Sequence, residues 1–375
     1  MGTTDSTAIA TGTAIATDTA IATDTAIATD TAIATARTTA TATATTTATN
    51  PSSTSAARGR RRRTRLLTGA VAVAAAAGVA AATLPASADS GSTATARVGG
   101  SALFAASLNG ANEVPVPGGP AVGDKDGAAL QFVKVKGDKV SVTVKWRGTA
   151  EPTALHIHQG AKGANGAVKV DFTKLLAKAE HRRVTGTVKV RDAALLKKLK
   201  ANPNGFYANL HTAEFPGGAV RGQLHKVTAN ASLDAAGRSF QASVVKGRQI
   251  YQCKKTTDGS GRFTFQQRDV RATLGGRIAH DFVAPNSGTP RWVVPDRSGV
   301  TGTLISKTTN GKQNIAELDL KAKQVGKKRG LLAGTTEILR LNTVGGVQPP
   351  GTCKPGTPKS IVSVPYGADY VFVSR

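Results

Sequence analysis

The chain has 375 residues, 40% hydrophobic and only 4% aromatic, with 49 Lys and Arg against 23 Asp and Glu for a net charge of +26. Two cysteines exclude a disulfide-dense miniature scaffold, and no basic run is interleaved with aromatic residues, which disfavours specific nucleic-acid recognition. A positive surplus of this size favours anionic polymers instead.

Residues 1–57 repeat "TAIATD" from Thr13 to Ala36 and then drift through Thr and Ala. With no aromatic residue and little apolar bulk, this stretch predicts a disordered low-complexity leader; Ala and Thr alone do not fill a solenoid core. Residues 58–88 follow a different order. Five arginines between Arg60 and Arg65 precede an apolar run from Leu66 to Leu84, and Ala86-Ser87-Ala88 supplies small residues at the cleavage spacing. That order predicts a secretory signal peptide cleaved after Ala88, and the Ala-rich run is too weakly hydrophobic to stay as a stable membrane span. A linker, residues 89–100, would follow. Setting aside the 7 basic and 4 acidic residues of 1–88, 42 basic residues stand against 19 acidic ones, a balance of +23. For an exported chain the expected partners are anionic polymers of the cell envelope; the sequence names no protein partner. Export to an oxidising compartment also makes Cys253–Cys353 the expected disulfide.

Residues 101–226 alternate with period two. In "QFVKVKGDKVSVTVKW", Val133 and Val135 alternate with Lys134 and Lys136, and after Gly137-Asp138 a second run carries Val140, Val142, Val144 and Trp146. This predicts a hairpin with one buried and one solvated face. Two short helices interrupt the pattern: one carries Phe172, Leu175, Leu176 and Ala179 on a single face, and Asp192 caps the other, "AALLKKLKA", which stops at Asn202-Pro203. Gly160, Gly163, Gly166, Gly217 and Gly218 predict turns with positive φ, and Arg221 a structural contact. Residues 232–375 continue β-like, rich in Gly, Thr and Val, and offer no nucleophile, base and orienter set. His280 beside Asp281 suggests a hydrogen-bonded pair.

Six histidines occur, and two share "LHIH". If 154–158 is a strand, Leu155 and Ile157 face the core, and His156 and His158 share the opposite face. In "GFYANLHT", Leu210 takes the core parity and His211 the other. Three imidazoles on one sheet face suit copper or zinc. His225 is the expected fourth member, because Arg221, Gln223 and His225 lie opposite Leu224.

The motifs "NEVP", "HIHQGAKGANG" and "HTAEFPGGAVRGQL" occur in this order, and residues 101–225 resemble the CHRD domain, the chordin-type module. The resemblance implies a β-sandwich-like extracellular domain and little about chemistry. The second half, with "GRQIYQC" and "GGVQPPGTC", resembles a secreted all-β domain of unknown function common in microbes. The histidine pattern itself is similar to the copper ligands of copper–zinc superoxide dismutase, although this chain lacks the further His and Asp cluster of a zinc partner.

The expected fold is all-β: two β-sandwich or barrel-like domains, 101–226 and 232–375, with one or two short helices in the first. Three functional readings stay open. The leading one is an exported cell-envelope binding module with a His-based copper or zinc site and no turnover. A copper-dependent redox enzyme and a metal-free structural or adhesive protein are the others.

Overall fold

The period-two run closes as expected. In the computed structural model, which describes residues 100–375, strand β2 (Ala128–Lys136) and strand β3 (Lys139–Arg147) pair antiparallel from Ala128↔Arg147 to Lys136↔Lys139. Gly137 takes a φ of 58° at the turn, a region that favours glycine. The expected leader, 1–57, and the expected signal peptide, 58–88, lie outside the described residues.

Around this hairpin the first domain adds β1 (Ala102–Asn109), β4 (Pro152–Gln159), β5 (Val168–Asp171), β6 (Arg183–Lys189), β7 (Phe206–Thr212), β8 (Val220–Gln223) and β9 (His225–Val227). The nine-stranded sheet runs β5-β4-β7-β8-β1-β2-β3-β6, with β9 beside β1. One face buries Phe104, Val133, Val142, Leu155, Ile157 and Leu210 in a single core. The helix α1 (Ala193–Ala201) closes it with Leu196 and Leu199. Asp192 caps α1 as read, its Oδ1 accepting from Leu195 N at 2.9 Å. The other predicted helix is a 3-10 segment, Thr173–Lys178, with Phe172 buried just before it.

The second domain is a closed antiparallel barrel of β10 (Phe240–Lys255), β11 (Phe263–Leu274), β12 (Ile278–Phe282), β13 (Pro290–Val293), β14 (Ser298–Thr308), β15 (Glu317–Gly326), β16 (Thr335–Gly345) and β17 (Ile361–Ser374). Pairing of β10 with β17, from Phe240↔Phe372 to Gln252↔Ile361, removes the free edges. Cys253 and Cys353 are disulfide-bonded, with a Cα–Cα distance of 5.8 Å. A short helix, α2 (Leu233–Arg238), enters the barrel and is capped by Ser232; the sequence reading did not include it.

The face of the first hairpin expected to be solvated is open at Lys136 and Lys139 but covered along the first part of β2, as is the same face of its neighbour β1. Leu103, Ala105, Leu130 and Phe132 pack on Leu339, Leu341, Val371 and Val373 of the barrel wall, with Ala235 and Ala236 of α2 between them. Buried large side chains contribute roughly 1.5–3 kcal/mol each, against about 0.5–1.5 kcal/mol per hydrogen bond, so apolar area holds this junction and polar contacts set its register. The polar contacts converge on Asp369. Its carboxylate accepts from Ser107 Oγ at 3.0 Å and Asn109 Nδ2 at 3.1 Å in the sheet, and from Ser243 Oγ at 2.6 Å and Asn342 Nδ2 at 2.7 Å in the barrel. Glu337, also buried, clasps the connecting chain by accepting from Thr228 N and Ala229 N.

Replacing Asp369 by Ala takes the acceptor from Ser107 Oγ, Asn109 Nδ2 and Ser243 Oγ and leaves Asn342 Nδ2 with Ser107 O alone. The expected loss is about 3 kcal/mol or more, since each buried donor left without a partner costs roughly 1–3 kcal/mol. Urea unfolding followed by tryptophan fluorescence and circular dichroism should show one shifted transition shared by both domains. An unchanged midpoint would contradict this account.

Candidate metal centre

β4 and β7 are adjacent and antiparallel, and their register pairs Ala154 with His211, His156 with Asn209 and His158 with Tyr207. The alternation assigned Leu155, Ile157 and Leu210 to the core, and all three are fully buried there. His156, His158 and His211 therefore share the opposite face. One nitrogen from each of them lies within 4.8 Å of the other two.

The outer nitrogens show how the protons are placed. His158 Nδ1 sits 2.9 Å from Gly166 O, and His211 Nδ1 sits 3.0 Å from Pro216 O. A carbonyl only accepts, so both rings carry their proton on Nδ1 and present Nε2 as a lone pair. His158 Nε2 is buried and has no partner among the described residues. His156 has Nε2 at 3.3 Å from Thr173 Oγ1 and 3.5 Å from Asp171 Oδ1, while its Nδ1 faces His211 Nε2 at 3.3 Å. The neutral ring has one proton for two acceptors, the Asp171 carboxylate and the His211 lone pair. Placing it toward Asp171 leaves two lone pairs face to face; placing it on Nδ1 gives a hydrogen bond to His211 Nε2 and leaves Nε2 to accept from Thr173 Oγ1. Protonating both nitrogens is disfavoured, because burial and then the His211 charge lower the His156 pKa to about 4. Burial lowers His158 and His211 as well.

Neighbouring loops lock the rings in place. A side chain on Gly166 would meet Gln159 O at 1.7 Å, so glycine is what lets the Gly166 carbonyl reach His158. Of the five glycines expected at positive φ, Gly163 and Gly218 have it; Gly160, Gly166 and Gly217 instead allow close approach. Arg221 is 1% exposed and donates to Asn165 Oδ1, Ala161 O and Ala164 O, with its guanidinium 3.4 Å above the Tyr207 ring. Tyr207 stacks in turn on His158 at 4.8 Å. The structural reading of Arg221 thus has a definite content: it pins the 160–166 loop over the site.

His225 does not join the three. Its strand β9 follows Gln223, which pairs with Tyr207, so it lies beyond the start of β7 while His211 lies near the end. At roughly 3.3 Å per residue along a strand, shared parity does not bring the two together. His225 Nε2 instead faces Glu317 Oε2 of the barrel at 3.5 Å. His280 and Asp281 do not pair either. As neighbours on a strand they point apart, His280 to Arg291 O at 2.9 Å and Asp281 to the Arg291 guanidinium at 2.7 Å.

Sequence reasoning missed two neighbours of the cluster. Asp171 and Thr173 orient His156 from the end of β5, which nothing in "KVDFT" signals. Sequence reasoning also gave no role to Glu113 of the "NEVP" motif, a half-buried carboxyl beside Arg221 and Asn209 that burial pushes to about pKa 7 against the opposing effects of those two, and whose Oε1 has no partner among the described residues.

With the geometry in place, the class is an all-β protein that presents three imidazoles on one face of its first sheet. Residues 104–224 match the CHRD domain family, and residues 235–374 match a protein family of unknown function (DUF3455). The chain carries a CHRD domain followed by a DUF3455 domain. No curated protein and no solved structure matches the chain.

Five histidines have lowered pKa values in the fold, His156 and His280 to about 4. A histidine that is harder to protonate when folded takes up its proton first in the unfolded chain. The stability it contributes is complete above the unfolded value near 6.5 and is lost as pH falls toward about 4. Melting temperature in chelator should therefore decline steadily between pH 7 and pH 4.5. A flat profile would show that the rings are not buried as described.

Proposed function

We propose that this protein is exported and acts at the cell envelope as a binding module, with one copper or zinc ion held by His156, His158 and His211 of its CHRD domain. The carrying observation is the 3.3 Å approach of His156 Nδ1 to His211 Nε2 with the other nitrogen of each ring beside an oxygen. Two nitrogens bound at ~2.0–2.1 Å to one tetrahedral zinc stand about 3.3 Å apart. A cation there would take both nitrogens as ligands in place of the single N–H···N contact one tautomer allows, and the Gly166, Pro216 and Asp171 oxygens supply the outer contacts that orient metal-binding histidines. Export is supported by the Arg-cluster, apolar-run and Ala-Ser-Ala order at 58–88 and by the disulfide, which suits an oxidising compartment.

The position of His225 favours a second reading. Three nitrogen ligands leave a coordination position open, as reactive metal sites do, so a copper ion here would be accessible to a small oxidant. Redox cycling of the copper-loaded protein, absent in the zinc-loaded form, would distinguish this reading from simple binding.

Protein purified without a His tag should retain copper or zinc at one equivalent by elemental analysis. His158→Ala should reduce Cu(II) or Zn(II) affinity by at least about 100-fold while the fold persists by circular dichroism, and Asp171→Asn by roughly 10–100-fold. If neither metal raises the wild-type melting temperature, the histidines are structural.

The surplus of +23 after residue 88 is the basis for the envelope partner. Exposed charges are screened within ~8 Å at physiological ionic strength, so retention on an anionic cell-wall polymer such as teichoic acid should fall steeply between 20 mM and 500 mM salt, concentrations of about these values spanning the screening range. Salt-independent retention would remove the electrostatic basis for that partner.

A further inference from the structure

A cleft of about 370 Å³ opens where β3 and the turn before β6 meet the first residues of the barrel. It lies toward the opposite edge of the CHRD sheet from β4 and its histidines. Lys145, Arg147, His181, Arg182, Phe240 and Gln241 contribute to its walls.

Two features of this cleft cost stability without serving the fold. The first is backbone strain. Glu180 N donates to Arg183 O at 2.8 Å and Arg183 N to Glu180 O at 2.9 Å, which closes a two-residue turn with His181-Arg182 at its tip. Both tip residues have positive φ, 50° and 57°. Asn-Gly is the usual pair in such a turn, because larger side chains are strained in that region. Here the positions hold a histidine and an arginine, both exposed. Backbone bonds alone close the turn and tie it to β3, where Trp146 N donates to Arg182 O at 3.1 Å. The second feature is charge. Lys145 stands directly opposite Arg183 on the neighbouring strand, a like-charge pairing that weakens a sheet. Lys145, Arg147, Arg182 and Arg183 form no ion pair among the described residues, and no acidic residue lines the cleft.

We propose that this cleft receives a phosphate group of the anionic envelope polymer, held by Arg147, His181 and Arg182, with the polymer's carbons against Phe240. The proposal rests on the anionic-partner reading above and gives that partner a place and a chemistry. Its contacts are open to a ligand: Arg147, His181 and Arg182 are exposed, and Phe240 is half-buried, its ring stacked on Phe372 at 4.9 Å. Donors arrive from two directions, the end of β3 and the tip of the turn. A tetrahedral phosphate offers oxygens to both, whereas a planar carboxylate matches a single guanidinium fork. Lys145, whose ammonium donates to Ser239 O, adds its charge to the same cleft.

Titration calorimetry of the full chain at low salt, with a synthetic glycerol phosphate oligomer and with an oligogalacturonate of equal length, tests the assignment. The phosphate oligomer should bind the wild type more tightly, by about threefold or more. Arg147→Gln combined with Arg182→Gln should weaken it at least about tenfold, since each cation lost removes a phosphate contact. Lys136→Gln combined with Lys139→Gln removes the same charge at the far end of the hairpin and should change affinity less than about twofold. His181→Asn combined with Arg182→Gly supplies the usual turn pair, so this variant should melt higher and yet bind more weakly. Equal losses in the two charge-matched variants would overturn the site and leave the electrostatic reading standing. Failure of the wild type to bind either oligomer would overturn both. Equal affinity for the two oligomers, or a turn variant that binds as the wild type does, would also overturn the inference.

Discussion

Burial of both faces of the β1–β2 pair is the constraint on which the rest of the molecule depends. A strand pair with one wet face tolerates a sliding neighbour; one with two dry faces does not. Phe104 and Val133 point into the CHRD core, and Leu103 and Phe132 point into the junction with the barrel. A slip of one residue would exchange the two sets. Asp369 then selects one alignment out of the apolar ones, because its carboxylate has to reach donors from both domains. The loop over the histidines is tied into the same frame, since Lys162 reaches Glu317 of the barrel at 3.1 Å.

The histidine cluster is a place where that rigidity has a chemical consequence. Three neutral rings could relieve facing lone pairs by rotating. Here each ring is held at its far nitrogen, two of them by backbone carbonyls, and His158 is also stacked on Tyr207 under Arg221. Rotation would break those contacts. Preorganisation of this kind lowers the reorganisation needed to take up an ion, and it places the cost in the ion-free state.

Much of this was legible in the sequence because strands obey a strict period. The parity of Leu155, Ile157 and Leu210 placed His156, His158 and His211 on one face without any knowledge of the loops. The same parity misplaced His225, because it gives the face of a residue and not its distance along the sheet; that depends on which strand pairs where. Period two also cannot distinguish a lysine-flanked strand facing water from one covered by another domain, so the packing of Leu130 and Phe132 on the barrel went unseen. Asp171 and Thr173 touch His156 from a strand end and the segment after it, where no periodicity exists to reveal them. For His280 and Asp281, adjacency in sequence was the wrong guide. The alternation that located the cluster sends those two side chains to opposite sides of the barrel wall.

The two domains present complementary deficits. In the CHRD sheet, acceptors converge: His158 Nε2 is orphaned, and His156 Nδ1 and His211 Nε2 have at most one proton between them at neutral pH. In the barrel, Trp292 Nε1 and Gln249 Nε2 are orphaned within the packed wall among the described residues. Buried polar groups are almost always satisfied, so each exception calls for an explanation. An excess of acceptors is relieved by a cation and an excess of donors by an anion. Neither domain can relieve the other, because apolar side chains form the wall between them. The histidine rings are partly open to solvent, with the His156 side chain 18% exposed, so an ion from outside could meet that imbalance, whereas the orphaned N–H groups of the barrel are closed off in its packed wall.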